Sequence, residues 1–165
     1  MDEGNVRIRA MAREDVPELL RLMEGIVTYE RGGGFQLTGA DLLRRGFGER
    51  PEFGAFVADR GDGRLAGMAV HYEIPFMHTL QPLLMMKWLF VDQELRGFGI
   101  GRQLMQRMAR HAMETGHQKF CWFVLKNNAP AQAFYSGIGA TPDPDWGRWV
   151  LEADAIASLA ADRNA

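Results

Sequence analysis

Between Val91 and Arg102 the chain reads Val-Asp-Gln-Glu-Leu-Arg-Gly-Phe-Gly-Ile-Gly-Arg. Glycines at 97, 99 and 101 let successive backbone N–H groups face one concavity with no Cβ in the way. A helix following them adds unpaired donors and the positive end of its dipole. A segment of this kind takes a phosphate or diphosphate, and Arg96 and Arg102 flank it with positive charge. It is not a nucleotide P-loop, because Gly101 is followed by Arg102-Gln103 instead of Lys-Ser/Thr. It also departs from the G-x-G-x-x-G dinucleotide fingerprint in spacing and in lying late in the chain. A tight strand-to-helix turn with no ligand is the structural alternative.

A second segment, Asn127 to Tyr135, joins an Asn-Pro turn to a short helix. Asn128 offers an amide. Tyr135 offers a phenol, ordinarily with a pKa of about 10, able to protonate a leaving thiolate. A helix cap and a half-buried core tyrosine are the structural alternatives. A ligand lodged between two neighbouring parallel strands would touch both segments.

Hydrophobic periodicity supplies the elements that position these groups. Val6–Arg9 alternates as a short strand. Val16, Leu19, Leu20, Met23, Ile26 and Val27 recur at three and four, which predicts a helix over 16–29 with Pro17 in its first turn. Thr38-Gly39-Ala40-Asp41 resembles a capping box with Asp in place of Glu and opens a helix to about Gly46. Phe53–Asp59 and Leu65–Ile74 read as a hairpin across Arg60-Gly61-Asp62-Gly63. Pro75 and Pro82 bracket a loop containing His78. Leu83–Val91 is the most apolar strand and is expected to be central. Ile100, Leu104, Met108 and Ala112 form the stripe of a helix over 99–115. Lys119–Leu125 is a strand, Ala131–Ser136 a short helix, Trp146–Glu152 a final strand, and 153–162 a terminal helix. The order β-α-α-β-β-β-α-β-α-β gives one α/β domain over residues 1–165, a mixed sheet flanked by helices.

Composition sets the bounds. A chain of 165 residues, 47% hydrophobic and 24% charged, forms one core without a disulfide or metal. A net charge of −2 argues against nucleic acid as a partner. The single cysteine, Cys121, lies in an apolar strand and reads as core, so a reducing cytoplasm is the default compartment. The polar start Met1-Asp2-Glu3-Gly4 does not resemble a signal peptide. The longest apolar run, Leu83–Val91, is broken by Lys87 and predicts no membrane span. His71, His78, His111 and His117 lack metal-ligand spacing, so no metal is expected.

With both segments in view, the chain resembles the GNAT superfamily of acetyl-CoA-dependent N-acetyltransferases. Arg96-Gly97-Phe98-Gly99-Ile100-Gly101 fits that family's R/Q-x-x-G-x-G/A diphosphate motif, and Asn128 with Phe134-Tyr135 fits its later segment. Over nearly its whole length it is similar to the diamine (spermidine/spermine) acetyltransferases. Tyr29-Glu30, Asp41-Leu42-Leu43, Gly46-Phe47-Gly48-Glu49 and Phe90-Val91 carry this narrower likeness.

The resemblance implies the GNAT acyl-CoA N-acyltransferase fold, acetyl-CoA as co-substrate, a small-molecule primary amine as acceptor, and a homodimer. It implies that the main chain of Leu89, Phe90 and Val91 bonds the pantetheine as an added strand. It implies that Gly97–Arg102 holds the diphosphate, that Asn128, Ala129, Pro130 and Ala131 contact the coenzyme, and that Tyr135 is the general acid. Tyr29, Glu30, Lys87, Trp88 and Asp145 fall on its acceptor side.

An alkylammonium must lose a proton before it attacks a thioester. Glu30, Glu73, His71 and Asp145 are the candidate bases, with Glu30 and Asp145 supported by the family's substrate-facing acids. One departure matters. At the two positions before Leu89, diamine acetyltransferases carry consecutive acids, and this chain has Lys87 and Trp88. A cation there repels a polyamine. Lys87 either meets a substrate carboxylate or is neutralised by Glu73 on the neighbouring strand, and Trp88 either narrows the pocket or packs in the core. A binding module without turnover and a protein acetyltransferase stand as alternatives to a small-amine enzyme.

Overall fold

The computed structural model describes residues 6–75 and 80–161. The chain divides into two compact units, Met1–Asn128 and Ala129–Ala165. The first holds a five-stranded sheet ordered β1 (Arg7–Ala10), β2 (Gly54–Asp59), β3 (Leu65–Ile74), β4 (Leu83–Val91), β5 (Lys119–Trp122). Neighbours run antiparallel except β4 and β5, which are parallel.

Helices α1 (Val16–Arg31) and α2 (Gly39–Phe47) cover one face and α3 (Ile100–Glu114) the other. The sequence dictates each. α1 buries Val16, Leu19, Leu22, Met23 and Ile26, one stripe at helical spacing. It stops at Gly32, left-handed at φ 75°, whose N–H donates to the Thr28 carbonyl at 2.8 Å. At α2 the predicted capping box forms. Thr38 Oγ1 accepts the Asp41 N–H at 3.2 Å, and Asp41 Oδ2 accepts the Thr38 N–H at 3.0 Å. α3 buries Ile100, Leu104, Met105, Met108 and Ala112.

Two arginines lock the framework. Arg9 donates from both Nη atoms to Asp15 at 2.6 and 2.8 Å and from Nε to Asp59 at 2.8 Å, joining β1, β2 and the turn before α1. Its guanidinium holds the Asp15 carboxyl below the usual range. Arg21 reaches from α1 to Asp92 Oδ1 at 2.9 Å and to the Leu65 carbonyl at 2.8 Å. It thereby fixes the residue at which the chain leaves β4.

The second unit contains α4 (Ala129–Gly137) and α5 (Ala153–Ala161). The strand predicted over Trp146–Glu152 is not present; those residues are exposed and carry no ladder pairing among the described residues. Just before them, Asp143 Oδ1 accepts the N–H groups of Asp145 and Trp146 at 3.0 and 3.1 Å, between Pro142 and Pro144. A side chain that captures the backbone in a turn competes with a sheet ladder. β5 also ends earlier than predicted, at Trp122 instead of Leu125. His78 lies outside the described residues.

Candidate functional site

The β4–β5 ladder runs only from Leu83 opposite Lys119 to Met86 opposite Trp122. β4 continues to Val91 with β3 as its ladder partner, Val91 facing Gly67. Among the described residues, the other edge of Leu89, Phe90 and Val91 has no strand on it. That edge can accept an extended ligand by main-chain pairing.

The glycine turn follows after Asp92 and one 3-10 turn, Gln93–Leu95. Gly97 and Gly99 are left-handed, at φ 88° and 81°, and a Cβ built on either meets nothing within 4 Å. Gly101 is an ordinary residue of the first turn of α3, so only two of the three glycines are required by conformation. Gly99 caps α3 without a side-chain bond. The N–H groups of Gly99, Ile100, Gly101 and Arg102 find no acceptor among the described residues. They form an open donor cradle at a helix N-terminus, the shape and polarity a diphosphate requires. The Ile100 side chain is core, 1% exposed, so its N–H is what it offers.

Arg96 is more than a flanking charge. Its Nε donates to the Val91 carbonyl at 3.0 Å, closing the turn onto the end of β4. Its guanidinium lies 5.4 Å from the Tyr29 ring centroid and 5.5 Å from that of Phe90, within cation–π range of both. α1 approaches here through Gly25, where a Cβ would stand 2.9 Å from Phe90 Cζ. Tyr29, Phe90 and Arg96 therefore form one group. Phe98 and Arg102 are exposed beside it.

On the α1/α2 face lies a cavity of about 330 Å³, lined by residues including Asp41, Glu52, Tyr72, Lys87 and Trp88. Its form depends on a β-bulge. Val70 pairs with Trp88 and His71 with Met86, which leaves Lys87 as an extra residue in β4. Successive strand residues ordinarily point to opposite faces; the bulge turns both Lys87 and Trp88 to the cavity. Tyr29 and Glu30 are exposed at the end of α1 and do not line it. Sequence reasoning missed Tyr72, Arg45 and Glu52. Tyr72 was accessible from alternation, two residues after Val70 on the same face; the other two come from segments the sequence does not connect to the sheet.

His71 and Glu73 occupy the opposite face. His71 stacks on Phe56 at 5.3 Å and lies 4.8 Å from His111 of α3. Burial, with the charges of His111, His117 and Arg107, pushes its pKa down to about 4. Glu73 Oε1 meets His117 Nε2 at 3.3 Å, and no Lys87–Glu73 ion pair exists among the described residues. The neutralisation of Lys87 by Glu73 is thus corrected: strand alternation places Glu73 with α3, while the bulge places Lys87 with α2. Cys121 is half-buried in β5 opposite Met85.

Asn128 ends the first unit, its N–H donating to the Leu125 carbonyl at 3.0 Å. In the second unit Ala129, Pro130 and Ala131 open α4, and Pro130 suits its first turn. Tyr135, on the same helix, has its ring 5.2 Å from that of Phe134. Asp145 is exposed in the turn closed by Asp143.

Residues 20–140 match the family described as acetyltransferase (GNAT) family. The human spermidine/spermine N(1)-acetyltransferase-like protein 1 is 30% identical over 141 residues, which is 81% of this chain and 20% of that protein. The chain thus spans one fifth of that relative's length. The pig thialysine N-epsilon-acetyltransferase is 28% identical over 168 residues, covering 95% of this chain and 98% of that one. Among solved structures, an integron cassette protein from the mobile metagenome of V. cholerae superposes with a TM-score of 0.79 at 25% identity, covering 95% of this chain and 98% of that one.

Proposed function

The chain belongs to the acetyltransferase (GNAT) family and is an acyltransferase, and on that premise we propose that it moves the acetyl group of acetyl-CoA to a primary amine of a small molecule. One observation carries this reading: β4 outruns β5 and is followed, after one 3-10 turn, by a donor cradle that the Arg96–Val91 hydrogen bond ties to its end, so a strand-like edge and an anion site are neighbours. Acetyl-CoA supplies the acetyl group as a thioester. The N–H groups of residues 97–102, with Arg96 and Arg102, receive its diphosphate. The main chain of Leu89, Phe90 and Val91 pairs with its pantetheine and polarises the thioester carbonyl. Asn128, Ala129, Pro130 and Ala131 are assigned coenzyme contacts by the family resemblance.

In the transfer an N–C bond forms and the C–S bond breaks. Glu30, which the resemblance assigns to the acceptor side and which stands outside the cavity lining, takes the ammonium proton through water, and Tyr135 protonates the departing thiolate. Tyr29 and Asp145 are assigned to the acceptor side by the same resemblance. Two relatives are named for spermidine/spermine and thialysine, both amines, which supports a small amine as acceptor. A panel of amines assayed by coenzyme thiol release, corrected for hydrolysis, tests the proposal. Amine-dependent thiol release is the expected result; tight coenzyme binding with no turnover of any amine would leave a binding module.

We treat residues 1–165 as one acetyltransferase domain, since the family match crosses the boundary at 128/129. A homodimer is supported by Trp146, Trp149, Val150, Leu151, Ile156 and Leu159, large apolar residues all more than half exposed in the single chain. Sedimentation equilibrium decides it. A cytoplasmic location is supported by the lone cysteine. Among the described residues no helix is long and apolar enough to cross a membrane.

A further inference from the structure

The cavity on the α1/α2 face, which the acetyltransferase reading makes the acceptor site, is lined by two acids and two bases, and they are not equivalent. Asp41 has both oxygens engaged: Oδ2 accepts from Thr38 Oγ1 at 2.7 Å and Oδ1 from Arg44 at 2.8 Å. Glu52 Oε2 accepts from Arg45 Nε at 2.7 Å. Three of the four charged side chains lining the cavity are thereby neutralised in place. Lys87 is the fourth. Its ammonium has no carboxylate within ion-pair distance among the described residues. It rests 5.5 Å from the Trp88 ring centroid, where a π-face steadies a cation without cancelling its charge. The bulge in β4 aims it into the cavity.

We propose that Lys87 selects the acceptor: the cavity takes an amine that also carries a carboxylate, and Lys87 binds that carboxylate. This rests on the acetyltransferase reading and narrows it. A di- or polycationic amine of similar length meets a like charge at the bulge, while each acid lining the cavity is already paired with an arginine. An amino-acid-like guest brings a carboxylate to the one uncompensated cation, so it carries one positive charge fewer than the diamine of the same length. A dianionic phosphate ester would add excess negative charge beside Asp41 and Glu52. The apolar and aromatic remainder of the lining, Leu42, Phe53, Val70, Tyr72 and Trp88, suits the methylene chain between the two charged ends.

The test uses amine pairs that differ only by the carboxylate: lysine against cadaverine, ornithine against putrescine, and thialysine against its decarboxylated diamine. Each is measured as kcat/KM by thiol release with the full-length wild type, Lys87→Met and Lys87→Glu, and calorimetry with coenzyme A is run on all three proteins. The wild type is expected to favour the carboxylated member of at least one pair roughly ten- to hundredfold, the range of one charge-assisted hydrogen bond. Lys87→Met should abolish that preference and Lys87→Glu reverse it, with coenzyme affinity unchanged. An equal preference in all three proteins, a wild type that favours the diamines, or turnover of no carboxylated amine by a protein that still binds coenzyme would each overturn the role of Lys87. Absence of coenzyme heat in the wild type would instead fail the transferase reading on which it rests.

Discussion

Gly99→Ala is the sharpest perturbation of the donor cradle, because its two effects separate. Gly99 sits at φ 81°, so alanine there costs about 1–2 kcal/mol of backbone strain. A Cβ meets nothing within 4 Å, so no steric term adds to that in the free protein. For a chain of this size the melting temperature should fall by about 2–8 °C. The bound state differs. On the proposed reading the diphosphate occupies the open space at this turn, and a methyl group on Gly99 competes with it for that space. Loss of one charge-assisted hydrogen bond, about 1.5–3 kcal/mol, weakens coenzyme binding roughly ten- to hundredfold. Gly61→Ala is the matched control. Gly61 has φ 80° and equally open surroundings, but it lies in the β2–β3 hairpin. Thermal melts and calorimetry with coenzyme A should show similar destabilisation in both variants and weakened binding in Gly99→Ala alone. If both variants bound coenzyme as the wild type does, the turn would not be the diphosphate site and the argument from open donors would fail.

Three further predictions concern separate parts of the molecule. Burial lowers the folded pKa of His71 from 6.5 to about 4, so as pH falls the unfolded chain takes up that proton first. Its contribution is whole above about pH 6.5 and drains away toward pH 4, a loss on the order of 3 kcal/mol. The urea midpoint should therefore drop across that window and drop less in His71→Gln; identical pH profiles would refute the assignment. Asp15→Ala strands both Arg9 hydrogen bonds and the Ala12 N–H, which reaches Asp15 Oδ2 at 2.7 Å in the intact protein. It should cost about 2–3 kcal/mol, and a melting point within about 2 °C of wild type would contradict that. Tyr135→Phe should lower kcat by about a hundredfold or more with coenzyme affinity intact; full turnover would remove Tyr135 from the chemistry.

Local signals made much of the first unit legible in the sequence. The three-and-four spacing from Val16 to Ile26, the Thr38–Asp41 box and the Ile100–Ala112 stripe are each set within one element, and each helix formed where its own residues required it. The glycine turn is legible for the same reason, although only Gly97 and Gly99 of its three glycines take the left-handed conformation. What the sequence did not disclose depends on register between strands. Leu83–Val91 is apolar nearly throughout, so no break in alternation marks the bulge at Lys87. Without the bulge, Lys87 would share a face with Glu73, which is why their pairing was a fair expectation. His71, His111 and His117 lie on different segments and meet only through the packing of α3 on β3. Trp146–Glu152 carries the residue types of a strand, but strand character without a ladder partner leaves apolar side chains exposed, as Trp149 is at 96%.

The central claim is that the end of β4 and the turn after it grip the diphosphate of an acetyl-donating coenzyme. Crystals soaked with acetyl-CoA test this most directly. The account predicts diphosphate density against the N–H groups of residues 97–102, with the pantetheine running antiparallel or parallel along the unpaired edge of Leu89–Val91. Density for the coenzyme elsewhere, with that turn and edge empty, would contradict it.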